Sequence, residues 1–127
     1  MKIEQIVTST EISNRLRKAL DSINVQIPSI FFRDYTGSRD EEIEMWRNDV
    51  PSWCEDNIPC YTASEIARFI PDDLYDKQCK TLGGKFRFDF GDQEAVVADT
   101  EADCRALMMI YLIENKFTNA EAIKPFI

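Results

Sequence analysis

The sequence contains no histidine, which removes the commonest general base of enzymes and the imidazole half of Ser-His and Cys-His nucleophile pairs. It also lacks a glycine-rich phosphate loop, since Gly83-Gly84 occurs without the spacing of that motif. Acidic pairs such as Asp72 and Asp73 are sequence neighbours, which is a weak sign of a shared site. We therefore expect a protein that is not an enzyme, with no catalytic residue and no cofactor. An enzyme that uses only carboxylates is the weaker alternative.

Closely spaced metal ligands and long hydrophobic runs are also absent. The four cysteines, Cys54, Cys60, Cys79 and Cys104, include no C-x-x-C pair, so a structural zinc site is not expected. Residues 1–20 carry charges throughout and have no apolar run of a secretory signal. No stretch approaches the roughly 18 apolar residues of a membrane span. We expect reduced cysteines, no metal and a cytoplasmic protein that does not bind membranes.

Basic residues are in the minority, with 15 Lys and Arg against 23 Asp and Glu and a net charge of -8. A chain with this charge repels phosphate polymers as a whole, so nucleic acid is not the expected partner. Residues 34–57 hold eight acidic and two basic residues. We interpret this segment as an acidic surface excursion within a single domain, 1–127, and predict a short helix in it from Arg39 to Asn48.

A helix-start pattern, in which Thr is followed three residues later by Glu, is present three times. It predicts capping boxes at Thr8 with Glu11, Thr62 with Glu65, and Thr118 with Glu121. Thr100 and Ser38 begin weaker versions of the pattern. Apolar residues at three- and four-residue steps predict main helices over about residues 9–23 and 101–115, and the second is apolar nearly all round. A short helix follows Thr62 and ends near Ile70.

Strand patterns occupy two regions. Residues 29–33 form one candidate strand, and residues 74–98 are typical of a β-meander. Gly83-Gly84 predicts a two-residue hairpin turn, and the alternation after it places Phe86, Phe88 and Phe90 on one face. The chain is therefore predicted to be α+β, with a three- or four-stranded antiparallel sheet packed against two main helices and additional short helices. The Phe face is the expected partner of the last main helix.

Two surfaces are candidate binding sites. Trp46 and Trp53 bracket the acidic segment; tryptophan is enriched in interface anchors, and acidic surroundings favour a basic protein partner. The alternative is that both side chains attach the segment to the core. Lys77, Lys80, Lys85 and Arg87 form a basic hairpin, a candidate site for an anion or a nucleic acid.

A two-residue turn at Gly83-Gly84 would place Lys80 directly opposite Arg87, where like charges repel. A bound anion, solvent or a neighbouring acid would offset this repulsion. The alternative interpretation is an ordinary solvated sheet face, with Asp76 and Asp89 nearby.

Four stretches of the sequence resemble a known group of proteins. They are VTSTEI at residues 7–12, IPCYTASEI at 58–66 with Pro71, ADTEADCRA at 98–106, and MIYLIENK at 109–116. Their order is similar to that in small proteins encoded by prophages and mobile elements of gut bacteria, which are shorter in the region of the acidic segment. The resemblance implies a mobile-element accessory protein and brings no known activity, cofactor or functional residue. The predicted function is a non-enzymatic module that binds another protein.

Overall fold

The computed structural model describes residues 6–34, 42–45, 57–70, 80–90 and 93–127. The elements in these ranges are, in chain order, α1 (Thr10–Ser22), β1 (Phe31–Asp34), β2 (Glu42–Met45), β3 (Asn57–Cys60), α2 (Ala63–Ala67), β4 (Lys80–Leu82), β5 (Lys85–Phe90), β6 (Gln93–Ala98), α3 (Glu101–Glu114), α4 (Ala120–Ile123) and a 3-10 helix, Lys124–Phe126. The predicted α+β class is confirmed, as are both main helices to within one residue at each end.

The strands are divided between two small antiparallel sheets, with strand orders β2-β1-β3 and β4-β5-β6. The sequence predicts one sheet instead. The difference arises because β1 pairs with β3, which places Phe32 opposite Pro59. The residue pattern did not predict β3, because Pro59 lowers its strand propensity, yet proline is tolerated in a strand at a sheet edge.

The acidic segment contributes a strand where the sequence predicts a helix. Glu42–Met45 is β2, with Met45 opposite Phe31 and Glu42 opposite Asp34. The predicted helix from Arg39 to Asn48 is therefore wrong over these four residues, and its remainder lies outside the described residues. Glu-Ile-Glu-Met alternates charged and apolar residues with a period of two, which suits a strand beside β1.

Helix α3 lies at the centre of the fold and contacts α1, α2, β5 and β6. Eight of its 14 residues are buried: Ala102, Cys104, Ala106, Met108, Met109, Ile110, Leu112 and Ile113. Helix α1, by contrast, buries one side, on which Leu16 and Leu20 lie. The all-round apolar character of residues 101–115 thus correctly predicts a helix covered on several sides.

Both main helices end in the same way. Asn24 after α1 and Lys116 after α3 have positive φ angles of 57° and 62°. The N–H of Val25 donates to the carbonyl of Leu20, and the N–H of Phe117 donates to that of Leu112. These are Schellman motifs, which satisfy the last carbonyls of each helix and stop it.

The hairpin β4–β5 forms as the sequence predicts. Gly83 and Gly84 have φ angles of 60° and 80°, the pair of positive values that a tight hairpin turn needs. Phe88 is fully buried in the core and Phe86 is partly buried against it, which confirms these two members of the Phe face beneath α3. The register shifts between Phe88 and Phe90, and the side chain of Phe90 lies outside the described part of the chain.

The capping predictions had mixed outcomes. Thr62 and Glu65 form the predicted capping box, with bonds of 3.3 and 2.9 Å. Thr100 caps α3 through the N–H of Asp103, as expected. At Thr8 and Thr118 the prediction is wrong by one residue, because the caps are Ser9 and Asn119.

A tertiary contact explains the displaced cap next to Thr8. Thr8 is buried and its N–H donates to the carbonyl of Tyr61 at 2.9 Å. Its hydroxyl accepts from the N–H of Tyr61 at 3.1 Å and lies 2.6 Å from the hydroxyl of Ser13. The oxygen that would have capped α1 is therefore used to join the chain before α1 to the end of β3.

Candidate functional site

The structure brings two of the predicted hairpin cations together. Lys80 lies directly opposite Arg87 in the β4–β5 ladder, as predicted. Lys85 lies opposite Leu82, and its ammonium is 3.4 Å from a carboxylate oxygen of Asp99. Lys77 lies outside the described residues. An acid at the end of β6 thus partly neutralises the hairpin, although both partners of this ion pair are largely exposed and screened by solvent.

The predicted tryptophan surface belongs to the acidic segment. Trp46 and Trp53 both lie outside the described residues. Of the segment around them, the structure describes β2, which ends at Met45, and β3, which begins at Asn57. Trp46 and Trp53 as partner-binding residues stay a prediction.

A surface that the sequence did not single out lies along β6. In the described part of the chain, β5 is the only strand paired with β6, so β6 forms one edge of its sheet. Every second residue of an antiparallel edge strand turns its N–H and C=O away from the sheet. The strand has the sequence Gln-Glu-Ala-Val-Val-Ala, without the lysine or proline that commonly protects such an edge. Among the described residues, no segment pairs with the outer side of β6.

An apolar groove runs beside this edge. We call it the β6 groove; its volume is about 260 Å³ and it is lined by Val96, Val97, Leu107, Ile110 and Tyr111, together with Arg15 and Glu114. Val97 is 50% exposed, whereas Val96 packs against the core. The strand thus offers a backbone edge and an exposed apolar side chain at the same place.

Neighbouring contacts hold the helical wall of the groove in place. The ring of Tyr111 stacks on that of Phe117, with ring centres 6.0 Å apart and an angle of 24° between planes. Ile110 is 2% exposed and is held in the core cluster. A wall that is ordered before binding loses less side-chain entropy when a partner docks.

Opposite charges flank the β6 groove. Arg15 is an exposed residue of α1, and Lys18 lies on the same exposed side one turn further along. Glu114 is exposed at the end of α3. The groove therefore has a cationic residue on its α1 side and an anionic residue on its α3 side.

The buried hydroxyl of Tyr61 has a structural role. The hydroxyl of Tyr61 donates to the carbonyl of Ile27 at 2.6 Å, and burial raises the pKa of this phenol well above its ordinary value.

Over the ranges that the structure describes, no group of three Cys, Asp or Glu side chains is placed to hold a metal ion. No helix in those ranges is both long and apolar enough to cross a membrane.

No protein-family model, curated protein or solved structure matches this chain. The resemblance to proteins of prophages and mobile elements therefore stays a prediction. Sequence analysis also missed the β6 groove, although one signal was present. Ala95 to Ala98 is an uncharged run in the last strand of a predicted meander, and the last strand of a meander lies at an edge unless another segment covers it.

Proposed function

We propose that this protein is a non-enzymatic binding module that takes up an extended segment of a partner protein along β6. The observation that carries the proposal is the edge of β6, which no described segment pairs with and which lies beside an apolar groove. A segment added to this edge would extend the three-stranded sheet β4-β5-β6 to four strands. Main-chain hydrogen bonds would supply affinity, and the side chains in the groove would supply selectivity.

The groove also defines the chemistry of the partner segment. Side chains of a strand alternate between two faces, so every second side chain of the partner would point towards Leu107 and Ile110. Those positions should be apolar. Arg15 and Glu114 favour an acidic residue on the α1 side and a basic residue on the α3 side.

A selection from a library of displayed peptides tests this proposal. The selected peptides should share an alternation of apolar residues and should lose binding about tenfold or more to the Val97→Lys variant, which places a charge at the strand edge. Ile30→Lys is the matched control, since Ile30 and Val97 are each 50% exposed and Ile30 does not line the groove. The control variant should bind the peptides as well as the wild type does.

Hydrogen exchange then locates the bound peptide. The proposal requires slower exchange of the outward-facing amides within Gln93–Ala98 when the peptide is bound. Peptides that bind Val97→Lys normally, or that leave β6 exchange unchanged, would rule out this site. If the same peptides instead lose binding to Trp46→Ala and Trp53→Ala, the partner surface is the acidic segment.

A second candidate function is binding of an anion or nucleic acid by the basic hairpin. The observation that favours it is the pairing of Lys80 with Arg87, which places two cationic residues opposite each other in the ladder. The ion pair between Lys85 and Asp99 weakens this candidate, because it draws an acid to the same face.

We also infer that the protein acts in the cytoplasm as an accessory protein of a mobile element. Cys60 and Cys104 are both buried, which suits cysteines that serve as small apolar core residues in a reducing compartment. The mobile-element origin is supported by the sequence resemblance described above. The genes that neighbour its own on the native DNA are the observation that tests this inference.

A further inference from the structure

A larger cavity lies on another part of the molecule, where the starts of α2 and α3 meet β5. Its volume is about 450 Å³, within the range of small-molecule sites. Ile6 and Phe86 form apolar parts of its wall; Ile6 is 38% exposed and Phe86 is partly buried. Ala63 and Ala102 also line it, and their short side chains leave the space open.

The charged side chains among the described residues of the cavity wall are both acidic. Asp99 and Glu101 line the cavity, whereas their basic partners do not. Lys85 contacts Oδ1 of Asp99 at 3.4 Å, and Arg105 contacts Oε1 of Glu101 at 3.0 Å. Each carboxylate has a second oxygen that can accept a hydrogen bond from a guest.

Hydroxyl groups complete the polar side of the wall. The Thr100 hydroxyl oxygen accepts from the N–H of Asp103, and that of Thr62 accepts from the N–H of Glu65. Because both oxygens accept these capping bonds, their protons can be donated to a guest. The wall therefore combines an apolar surface, hydroxyl donors and two carboxylates.

We propose that this cavity binds a small organic amine with an apolar body. The apolar body lies against Ile6 and Phe86, and the ammonium lies beside Asp99 and Glu101. An anionic guest is disfavoured by the same two carboxylates and by the chain's net charge of -8. This site shares no lining residue with the β6 groove, so it is independent of the proposed protein-binding function.

Three probes of similar shape and different charge test the proposal: benzylamine, benzyl alcohol and benzoate. Titration followed by NMR of the backbone amides gives both affinity and location. We expect benzylamine to bind with a dissociation constant on the order of 1 mM, as suits a fragment of its size, and to shift the amides of residues 62–64 and 99–102. Benzyl alcohol should bind roughly fivefold more weakly, because exposed carboxylates contribute modestly, and benzoate should bind most weakly.

Variants distinguish binding of benzylamine in the cavity from attraction of benzylamine by the overall charge of the protein. Ala63→Leu should weaken benzylamine binding about tenfold or more by filling the cavity, while circular dichroism reports whether the protein stays folded. Asp99→Asn with Glu101→Gln should remove the preference for benzylamine over benzyl alcohol. The matched control is Asp21→Asn with Glu121→Gln, which removes the same charge from exposed positions that line neither the cavity nor the β6 groove.

Equal binding of all three probes would overturn the amine assignment, and no binding of any probe would overturn the site. A control pair that removes the preference as fully as the cavity pair would show that only the overall charge attracts the amine. Because these readouts do not involve β6, they can fail while the peptide selection succeeds, and the reverse also holds.

Discussion

Threonine hydroxyls before helices have two different roles in this protein. Thr62 caps α2 and belongs to a complete capping box, in which Glu65 accepts from the N–H of Thr62. The second oxygen of Glu65 accepts from the N–H of Ile30 at 2.9 Å, which ties the entry of β1 to the start of α2. Thr8 occupies the same sequence pattern, but its hydroxyl serves the core.

This contrast leads to a prediction about stability. Thr62→Ala should lower the free energy of unfolding by about 1 kcal/mol, since it removes the acceptor for the N–H of Glu65. Ser9→Ala should change it by less than about 0.5 kcal/mol, because within the described residues the Ser9 side chain makes no capping bond. Urea denaturation of both variants measures the difference. Equal losses would contradict the assignment of the two caps.

Helices α1 and α3 differ in how much of their surface is covered. Side chains two positions apart on a helix are rotated by about 200° around its axis, so they point to nearly opposite sides of the helix. In α3, both Met108 and Ile110 are buried, with exposed fractions of 0% and 2%. In α1, Leu16 is 1% exposed, whereas Lys18 is exposed. The central helix therefore has core on opposite sides, and α1 has core on one.

Alanine substitutions should report this difference directly. Met108→Ala and Ile110→Ala should each cost about 2–5 kcal/mol of unfolding free energy, because each leaves a cavity in the core. Leu16→Ala should cost a similar amount, while Lys18→Ala, its matched control across the helix, should cost less than about 0.5 kcal/mol. Chemical denaturation checks all four. A small effect at either α3 position would show that α3 is not covered on that side.

Sequence patterns predicted some of the strands but not others. The hairpin β4–β5 and the opposition of Lys80 to Arg87 were predictable, because two glycines specify a tight turn and the turn specifies the register. Strand β2 was not predictable, since the apolar spacing of its four residues is compatible with either a helix or a strand. Its pairing with β1 decides in favour of the strand.

On the scale of the whole molecule, the charge distribution separates the two candidate functions. The net charge of -8 repels a phosphate polymer, whereas the hairpin hypothesis relies on Lys80 and Arg87, which lie opposite each other in the β4–β5 ladder. The proposed peptide binding along β6 would depend little on this balance, because backbone pairing and apolar contact would supply most of its affinity.

We therefore predict that the wild-type protein does not shift duplex DNA in an electrophoretic mobility assay at about 50 mM salt. Lys80→Glu combined with Arg87→Glu should make no difference to that result. Lys18→Glu, on the exposed side of α1, is the control for a general loss of positive charge. A shift by the wild type that the hairpin double variant abolishes, and that the control retains, would instead favour the hairpin function.

The sequence by itself determined the α+β class, both main helices, the Gly83-Gly84 hairpin and the central place of α3. Each of these features follows from residues near one another in the chain, through the spacing of apolar residues, the geometry of a turn or a local helix cap. Only the tertiary structure decided the division of the strands into two sheets and the position of the cap next to Thr8. It also decided the open edge of β6 and the cavity between the starts of α2 and α3. These features depend on which distant segments meet, such as Thr8 with Tyr61, and the free energy of such long-range contacts outweighs the smaller local preferences.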